Sequence, residues 1–275
     1  MRVGEQSRLL RPVAGPETAS ADRTTASLLG LEFASLNATQ AASRIAARPA
    51  HLPFVYVVTP NADHLVRIRR DPLLYHIYRT AGLCLLDSSV VAGLGRALGL
   101  NVPRVATGSD LTAQLIHRHV AAGERITIVG LSPAWLPALI KQCHLTPPAH
   151  YDPPMGFEHN PNSFAAALEF VRKNPARFVF LAVGSPRQER LAAALAASGD
   201  ITGTGLCIGA SLEFLAGARR RAPAFVRRMH LEWLFRLAAE PRRLFRRYLI
   251  DSPVVIALLL RERLEQARHR PGPRV

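Results

Sequence analysis

Asp87 stands directly after the apolar run Leu83–Leu86. A carboxylate that leaves a buried strand and projects toward a ligand is what a general base requires. The same position suits an N-cap, a task Ser88 and Ser89 could share, so these residues alone leave capping and catalysis open. Thr59 and Asn61 follow the run Phe54–Val58 in the string TPN. Pro60 ends that strand and Asn61 can cap a helix opening near Ala62. The functional alternative puts Thr59 and Asn61 at the mouth of a pocket. Two further runs, ITIVGL (Ile126–Leu131) and FVFLAVG (Phe178–Gly184), end in Gly, a turn and Pro before a helical pattern. Such junctions aim unpaired backbone N–H groups at an anion. In the second, GSPRQE (Gly184–Glu189), Pro186 fits the first helical position. Gln188 and Glu189 then fall in the first turn, facing the site. Gln188 both donates and accepts, which suits a sugar or a uracil edge, whereas Glu189 could simply complement the helix dipole.

The absent motifs narrow the chemistry. Two GxGxxxG strings occur, Gly93–Gly99 and Gly203–Gly209. The first lies in a helical pattern and the second leads into a strand, so neither is a dinucleotide fingerprint. The sequence has no P-loop and no G-x-S-x-G elbow. With no D-x-D, nothing suggests a diphosphate held through a metal. A diphosphate bound here must be neutralised by Arg side chains and helix N-termini. No metal and no cofactor is expected.

The elements that must position these residues are legible as alternation. FVYVVT, LCLL, ITIVGL, FVFLAVG and TGLCIGA (Thr204–Ala210) read as buried strands, with helical stretches between them such as Ser109–Gly123 and Asn162–Asn174. Continuous apolar strands separated by helices predict an α/β fold, a Rossmann-like parallel sheet with helices on both faces. Pro147–Phe157 reads as a Pro-rich loop. The 275 residues are 48% hydrophobic and 20% charged, a globular composition that excludes disorder. Residues 1–28 read as a mobile tail, 29–217 as the catalytic body, and 218–275 as a helical appendage. Cys84, Cys143 and Cys207 are too widely spaced for a zinc site and read as buried thiols of a reducing compartment. The longest apolar run, near Val254–Leu260, is far short of the ~20 residues that span a bilayer.

The appendage carries most of the charge. Gly217–Val275 holds fifteen Arg against five acids, so +10 of the net +15. Over Glu232–Leu249, Leu244, Phe245, Tyr248 and Leu249 share one helical face while Arg242, Arg243, Arg246 and Arg247 fall on the remainder. Three readings compete: a solvated helix packed on the body, phosphate tracking on nucleic acid, and an interfacial helix on anionic lipid. No recognised nucleic-acid module accompanies the arginines. A non-catalytic, anion-binding adaptor is the rival from another functional class.

Taken in order, several strings resemble one family closely. They are TPN (Thr59–Asn61), Asp87, RVATGSDL (Arg104–Leu111), GSPRQE, GASLEFLAG (Gly209–Gly217), RAP (Arg221–Pro223), LEWLFRL (Leu231–Leu237) and EPRRLFRRY (Glu240–Tyr248). From Phe54 to Leu249 the chain is similar to the WecG/TagA/CpsF glycosyltransferases, glycosyltransferase family 26. The resemblance implies an inverting, metal-independent transfer of a hexose or N-acetylhexosamine-type sugar. The donor would be a UDP-sugar and the acceptor a polyprenyl-diphosphate-linked sugar, in surface or exopolysaccharide synthesis. It implies a catalytic base at Asp87 and substrate contacts at Thr59, Asn61, Arg104, Gly108, Gly184, Gln188, Glu189 and Glu213. Arg221, Arg236, Arg243 and Arg247 would meet the diphosphate or the anionic inner-membrane surface. The enzyme would be cytoplasmic and peripheral on the membrane's inner face, with no nucleic-acid partner and a homo-oligomer left open. Removing the chain from Arg219 onward is expected to leave a soluble body. Ser88 replaces a common Gly, Glu213 a common Asp, Phe225 a common Trp and His230 a common Gly; the Asp87–Ser88 pair is similar to the exopolysaccharide branch.

Overall fold

A computed structural model describes residues 25–219, Phe235 and residues 252–268. The chain opens with an antiparallel hairpin, β1 (Thr25–Leu28) and β2 (Leu31–Ala34). Leu29 (φ +52°) and Gly30 (φ +76°) form its two-residue turn, the left-handed geometry that matches strand twist. Thr25–Leu28, assigned to the tail from sequence, is thus part of a strand pair whose Leu28, Leu31 and Phe33 are buried. The helix α1 (Ala38–Ala46) follows, opened by a capping box between Asn37 and Gln40.

The predicted strands then appear in order as β3 (Val55–Val58), β4 (Leu83–Cys84), β5 (Thr127–Gly130), β7 (Phe178–Ala182) and β8 (Thr204–Cys207). One strand was not foreseen: β6 (Ala149–Tyr151) lies inside the Pro-rich segment read as loop. The six pair in parallel, in the order β4-β3-β8-β7-β5-β6. Alternation along each strand divides the core. Val55, Val57, Phe178, Phe180 and Leu206 point to one face, where α1, α5 (Gly108–Arg118), α6 (Leu136–Cys143) and α9 (Ser211–Leu215) cover them. Tyr56, Val58, Val179, Leu181 and Cys207 point to the other. That face is covered by α2 (Ala62–Arg70), α3 (Pro72–Thr80), α4 (Ser89–Ala97), α7 (Pro161–Lys173) and α8 (Arg187–Ser198). Strands apolar on both sides are the signature of a sheet sandwiched between helix layers. All three cysteines are free and buried.

The last described helix, α10 (Ser252–Arg268), returns to this second layer. It packs against α2 and α4, with Val255 2% exposed and Leu259 fully buried in the core. Glu262 accepts a hydrogen bond from the Leu29 amide at 2.5 Å, tying the helix to the opening hairpin. The apolar run near Val254–Leu260 therefore belongs partly to the body, while Ile256, Ala257 and Leu260, and Leu264 beyond it, are exposed on its outer side. Truncation at Arg219 would strip Val255 and Leu259 from the core, so an intact soluble body is no longer the expected result. Among the described residues no helix is long and apolar enough to cross a membrane.

Candidate active site

The carboxyl ends of all six strands open into one cavity of about 1260 Å³. This is where an open parallel sheet places ligands, because the chain diverges there and leaves a crevice. Thr59 after β3, Asp87 after β4, Leu131 after β5, Asp152 after β6, Gly184 after β7 and Gly209 after β8 all line it.

Asp87 owes its place to two caps. The Ser88 side chain accepts from the Val91 amide at 3.2 Å and so closes α4. The capping duty considered for Asp87 is thereby taken by its neighbour. Asp87 turns instead to α5, where its Oδ2 accepts from the Gly108 amide at 3.0 Å. Thr107 caps that helix through the Asp110 amide at 3.1 Å, so the two acceptors share its first-turn donors. A negative charge at this helix N-terminus is favourable.

Gly108, expected to touch substrate, is buried and is not among the lining residues; it sits behind three that are. A Cβ there would lie 3.0 Å from Thr59 Oγ1, 3.5 Å from Asp87 Oδ2 and 3.6 Å from Ser211 Oγ. Three side-chain oxygens thus converge on one small space. The Thr59 hydroxyl donates to the Cys207 carbonyl at 3.3 Å and Ser211 donates to Ile208 at 2.6 Å. With those hydrogens committed to the backbone, the oxygens face the space as acceptors.

Asn61 fulfils both of its sequence readings. Its Oδ1 accepts from the amides of Asp63 at 3.1 Å and His64 at 3.3 Å, capping α2, and the residue also lines the cavity. Gln188 lines the cavity but is only 2% exposed. Its Oε1 accepts from Gly209 at 2.9 Å and its Nε2 donates to Glu189 Oε1 at 2.9 Å, so it locks the β7–α8 junction to the end of β8. Glu189, expected to face the site, is 1% exposed behind the wall and is not among the lining residues. Burial raises its carboxyl above the ordinary range, against hydrogen bonds from Gln188, its own backbone and Tyr78 that lower it. Pro186 is the residue before α8, not its first residue: the helix opens at Arg187. Gly184 takes φ +79° at the turn.

Glu213, in the first turn of α9, lines the cavity and is paired with Arg219. Arg104 is not brought to the cavity. It is exposed, its amide donates to Ser35 at 3.2 Å and its guanidinium meets Gln40 at 3.4 Å, at the start of α1. Arg221, Arg236, Arg243 and Arg247 lie outside the described residues. Phe235, within the aromatic and Arg-rich stretch, does line the cavity.

The sequence reading missed His64, Arg67, Asp152, Arg187 and Arg219, all cavity-lining. His64 and Arg67 stand three and six residues after Asn61, one face of a helix that opens at a strand end, and that spacing could have found them. Asp152 was hidden because its strand lies between prolines. Among the described residues no cluster of three His, Cys, Asp or Glu is placed to hold a metal ion.

Comparison with known proteins bears on what such a cavity does. The family model described as "Glycosyl transferase WecG/TagA/CpsF family" matches residues 26–269. A similar protein of Bacillus spizizenii is 25% identical over 224 residues, 79% of this chain and 83% of its own length. It is named N-acetylglucosaminyldiphosphoundecaprenol N-acetyl-beta-D-mannosaminyltransferase.

Proposed function

This chain belongs to the WecG/TagA/CpsF family of glycosyl transferases, and we propose that it moves a hexose or N-acetylhexosamine-type sugar from a UDP-sugar to a polyprenyl-diphosphate-linked sugar. The observation that carries this reading is the convergence of Asp87, Thr59 and Ser211, beside the buried Gly108, on the lining of a large strand-end cavity. The relative's name, which specifies an undecaprenol-diphosphate acceptor bearing N-acetylglucosamine, supports an acceptor of that type.

In the proposed step the acceptor sugar's hydroxyl gives its proton to the Asp87 carboxylate, and the resulting oxygen attacks the anomeric carbon from the face opposite UDP. The bond to the diphosphate breaks and the configuration inverts. Positioned base catalysis of this kind contributes typically ~10²–10⁴-fold. The departing diphosphate gains negative charge, which amides of the β7–α8 junction and the cavity-lining Arg67, Arg187 and Arg219 are placed to meet without a metal. Cytoplasmic location, and attachment of the Arg-rich segment to anionic lipid at the membrane's inner face, are part of the same proposal. Basic side chains near such a surface contribute ~1 kcal/mol each.

The test is to incubate the full chain with a short-chain polyprenyl-diphosphate-N-acetylglucosamine and a panel of UDP-sugars, then weigh the lipid products. One UDP-sugar should add one sugar residue. No mass increase with any donor, from a protein that melts cooperatively, overturns the reading. For the membrane arm, Arg242, Arg243, Arg246 and Arg247 changed together to Glu should abolish sedimentation with anionic vesicles. Unchanged sedimentation overturns that part.

A further inference from the structure

The strand order of the sheet lays out the donor along the cavity. The transfer step above uses the ends of β4, β3 and β8, where Asp87, Thr59 and Ser211 converge, and the β7–α8 junction, where the departing diphosphate is met. Two strand ends of the same cavity have no part in that step: β5, beside β7, and its outer neighbour β6. Neighbouring strands lie ~4.8 Å apart, so the ends of β8 and β6 are separated by roughly 14 Å. An extended donor with its sugar over β3 and β8 and its diphosphate over β7 therefore carries its nucleoside onto β5 and β6.

The corner between these two strands suits such a group. β5, its turn, α6 and β6 form a parallel strand–helix–strand unit in which Val129 pairs with Tyr151. Gly130 leaves β5 at φ +94°, and a Cβ there would lie 2.7 Å from the Ala182 carbonyl carbon, so the turn requires glycine. His150 on β6 donates from Nε2 to the carbonyls of Gly130 at 3.1 Å and Leu131 at 2.8 Å, which ties that turn to the end of β6. Pro133 and Pro137 remove N–H groups where the following helical turns begin, so this helix start is a poor site for phosphate. Leu131, Pro153, Pro154 and Met155 instead give the cavity an apolar surface here, which suits the flat face of a base.

Asp152 is the acid of this corner. It directly follows β6, stands 22 residues after Gly130 and lines the cavity. An acid beyond the second strand, about 20 residues after the glycine turn, is where an α/β nucleotide-binding unit receives a ribose hydroxyl. The other lining acids are engaged: Asp63 with Arg67 at 2.8 Å, Glu213 with Arg219, and Asp87 with the Gly108 amide at 3.0 Å. An ionised carboxylate only accepts hydrogen bonds, and its two oxygens match two adjacent hydroxyls.

We propose that the β5–β6 corner is the nucleoside subsite of the cavity and that Asp152 is its specificity-determining residue: the carboxylate accepts hydrogen bonds from the ribose 2′- and 3′-hydroxyls while the base lies against Leu131 and Pro154. Asp152 selects a ribonucleotide donor and takes no part in breaking the bond to the diphosphate. The inference rests on the reading that a UDP-sugar is the donor.

The test is titration calorimetry of the full chain with UDP, 2′-deoxy-UDP and 3′-deoxy-UDP, for wild type, Asp152→Ala and Asp152→Asn. Hydrogen bonds to a charged group are the strong ones, so wild type should bind UDP about tenfold or more tighter than at least one deoxy analogue. In Asp152→Ala that preference should shrink to within about twofold, because UDP weakens while the analogue does not. Asp152→Asn keeps the shape of the side chain and should narrow the same gap, which covers the case of an Ala variant that folds poorly. A wild type that binds all three ligands equally overturns the proposal, as does a preference of the same size in wild type and both variants; the functional reading stands in either case. Failure of wild type to bind UDP overturns that reading and the proposal with it.

Discussion

Replacing Asp87 by Asn separates the two tasks that sequence left open at this position. The carboxylate holds the Gly108 amide at 3.0 Å, and the Asn carbonyl oxygen can accept the same hydrogen bond. At the α5 N-terminus the fold loses the negative charge, a contribution of about 0.3–1 kcal/mol. For a chain of this size that is a fall of roughly 1–4 °C in melting temperature. Catalysis loses far more. An amide cannot take the acceptor proton, so transfer should slow by about 10²–10⁴-fold, or ~2.7–5.4 kcal/mol of barrier. The three quantities are read on one preparation: product mass against time, melting midpoint, and UDP affinity, the last staying within about twofold. A rate within tenfold of wild type would refute the base assignment. A melting drop beyond about 10 °C with loss of UDP binding would show that the carboxylate is chiefly structural. Asp87→Ala, which orphans the Gly108 amide, should destabilise by about 0.5–2 kcal/mol and so gives the scale for that outcome.

Three further substitutions test the surroundings. Gly108→Ala places a methyl 3.0 Å from Thr59 Oγ1 and 3.5 Å from Asp87 Oδ2; transfer should fall at least about tenfold by displacing those two side chains, with a cost of about 1–3 kcal/mol in urea melts. Glu189→Gln addresses pH. Because burial raises the folded-state pKa of this carboxyl, rising pH ionises it in the unfolded chain first, and stability falls above the ordinary carboxylate range by at most about 1.4 kcal/mol per pH unit. The Gln variant should lose that slope between pH 4.5 and 8, and an unchanged slope would assign it elsewhere. Leu259→Ala should cost about 2–5 kcal/mol and Leu260→Ala under ~0.5, because adjacent residues of α10 face the core and the solvent. Equal effects in thermal melts would contradict the docking of that helix.

The sheet was legible because its strands are buried on both faces, and five apolar runs with no polar alternation leave little else for the chain to do. The two missed pieces lack that signal. Ala149–Tyr151 is a three-residue edge strand, half-buried and placed between proline pairs. Thr25–Ala34 is a hairpin whose turn uses Leu29 at a positive φ, a conformation that leucine does not advertise. At the site, the residues that issue from a strand end come together: Thr59, Asn61, Asp87, Gly184 and Gln188 line one cavity, while Gly108 is buried beside them. Residues whose role depends on distant partners were not readable. Glu189 looks like a first-turn acid until Tyr78, 111 positions earlier, is found against it. Arg104 was expected from the resemblance to touch substrate, but Ser35 and Gln40 hold it on another side.

The docking of α10 changes what the arginine-rich stretch is in mechanical terms. Arg219 is held to α9 by Glu213, Ser252 opens a helix anchored in the core, and Phe235 meets the cavity between them. The described residues on either side of 220–251 are thus both joined to the folded body. Fraying of the final helix would withdraw Val255 and Leu259 from their packing beside α2, whose Asp63, His64 and Arg67 line the cavity, and so loosen that wall without altering a single residue of it.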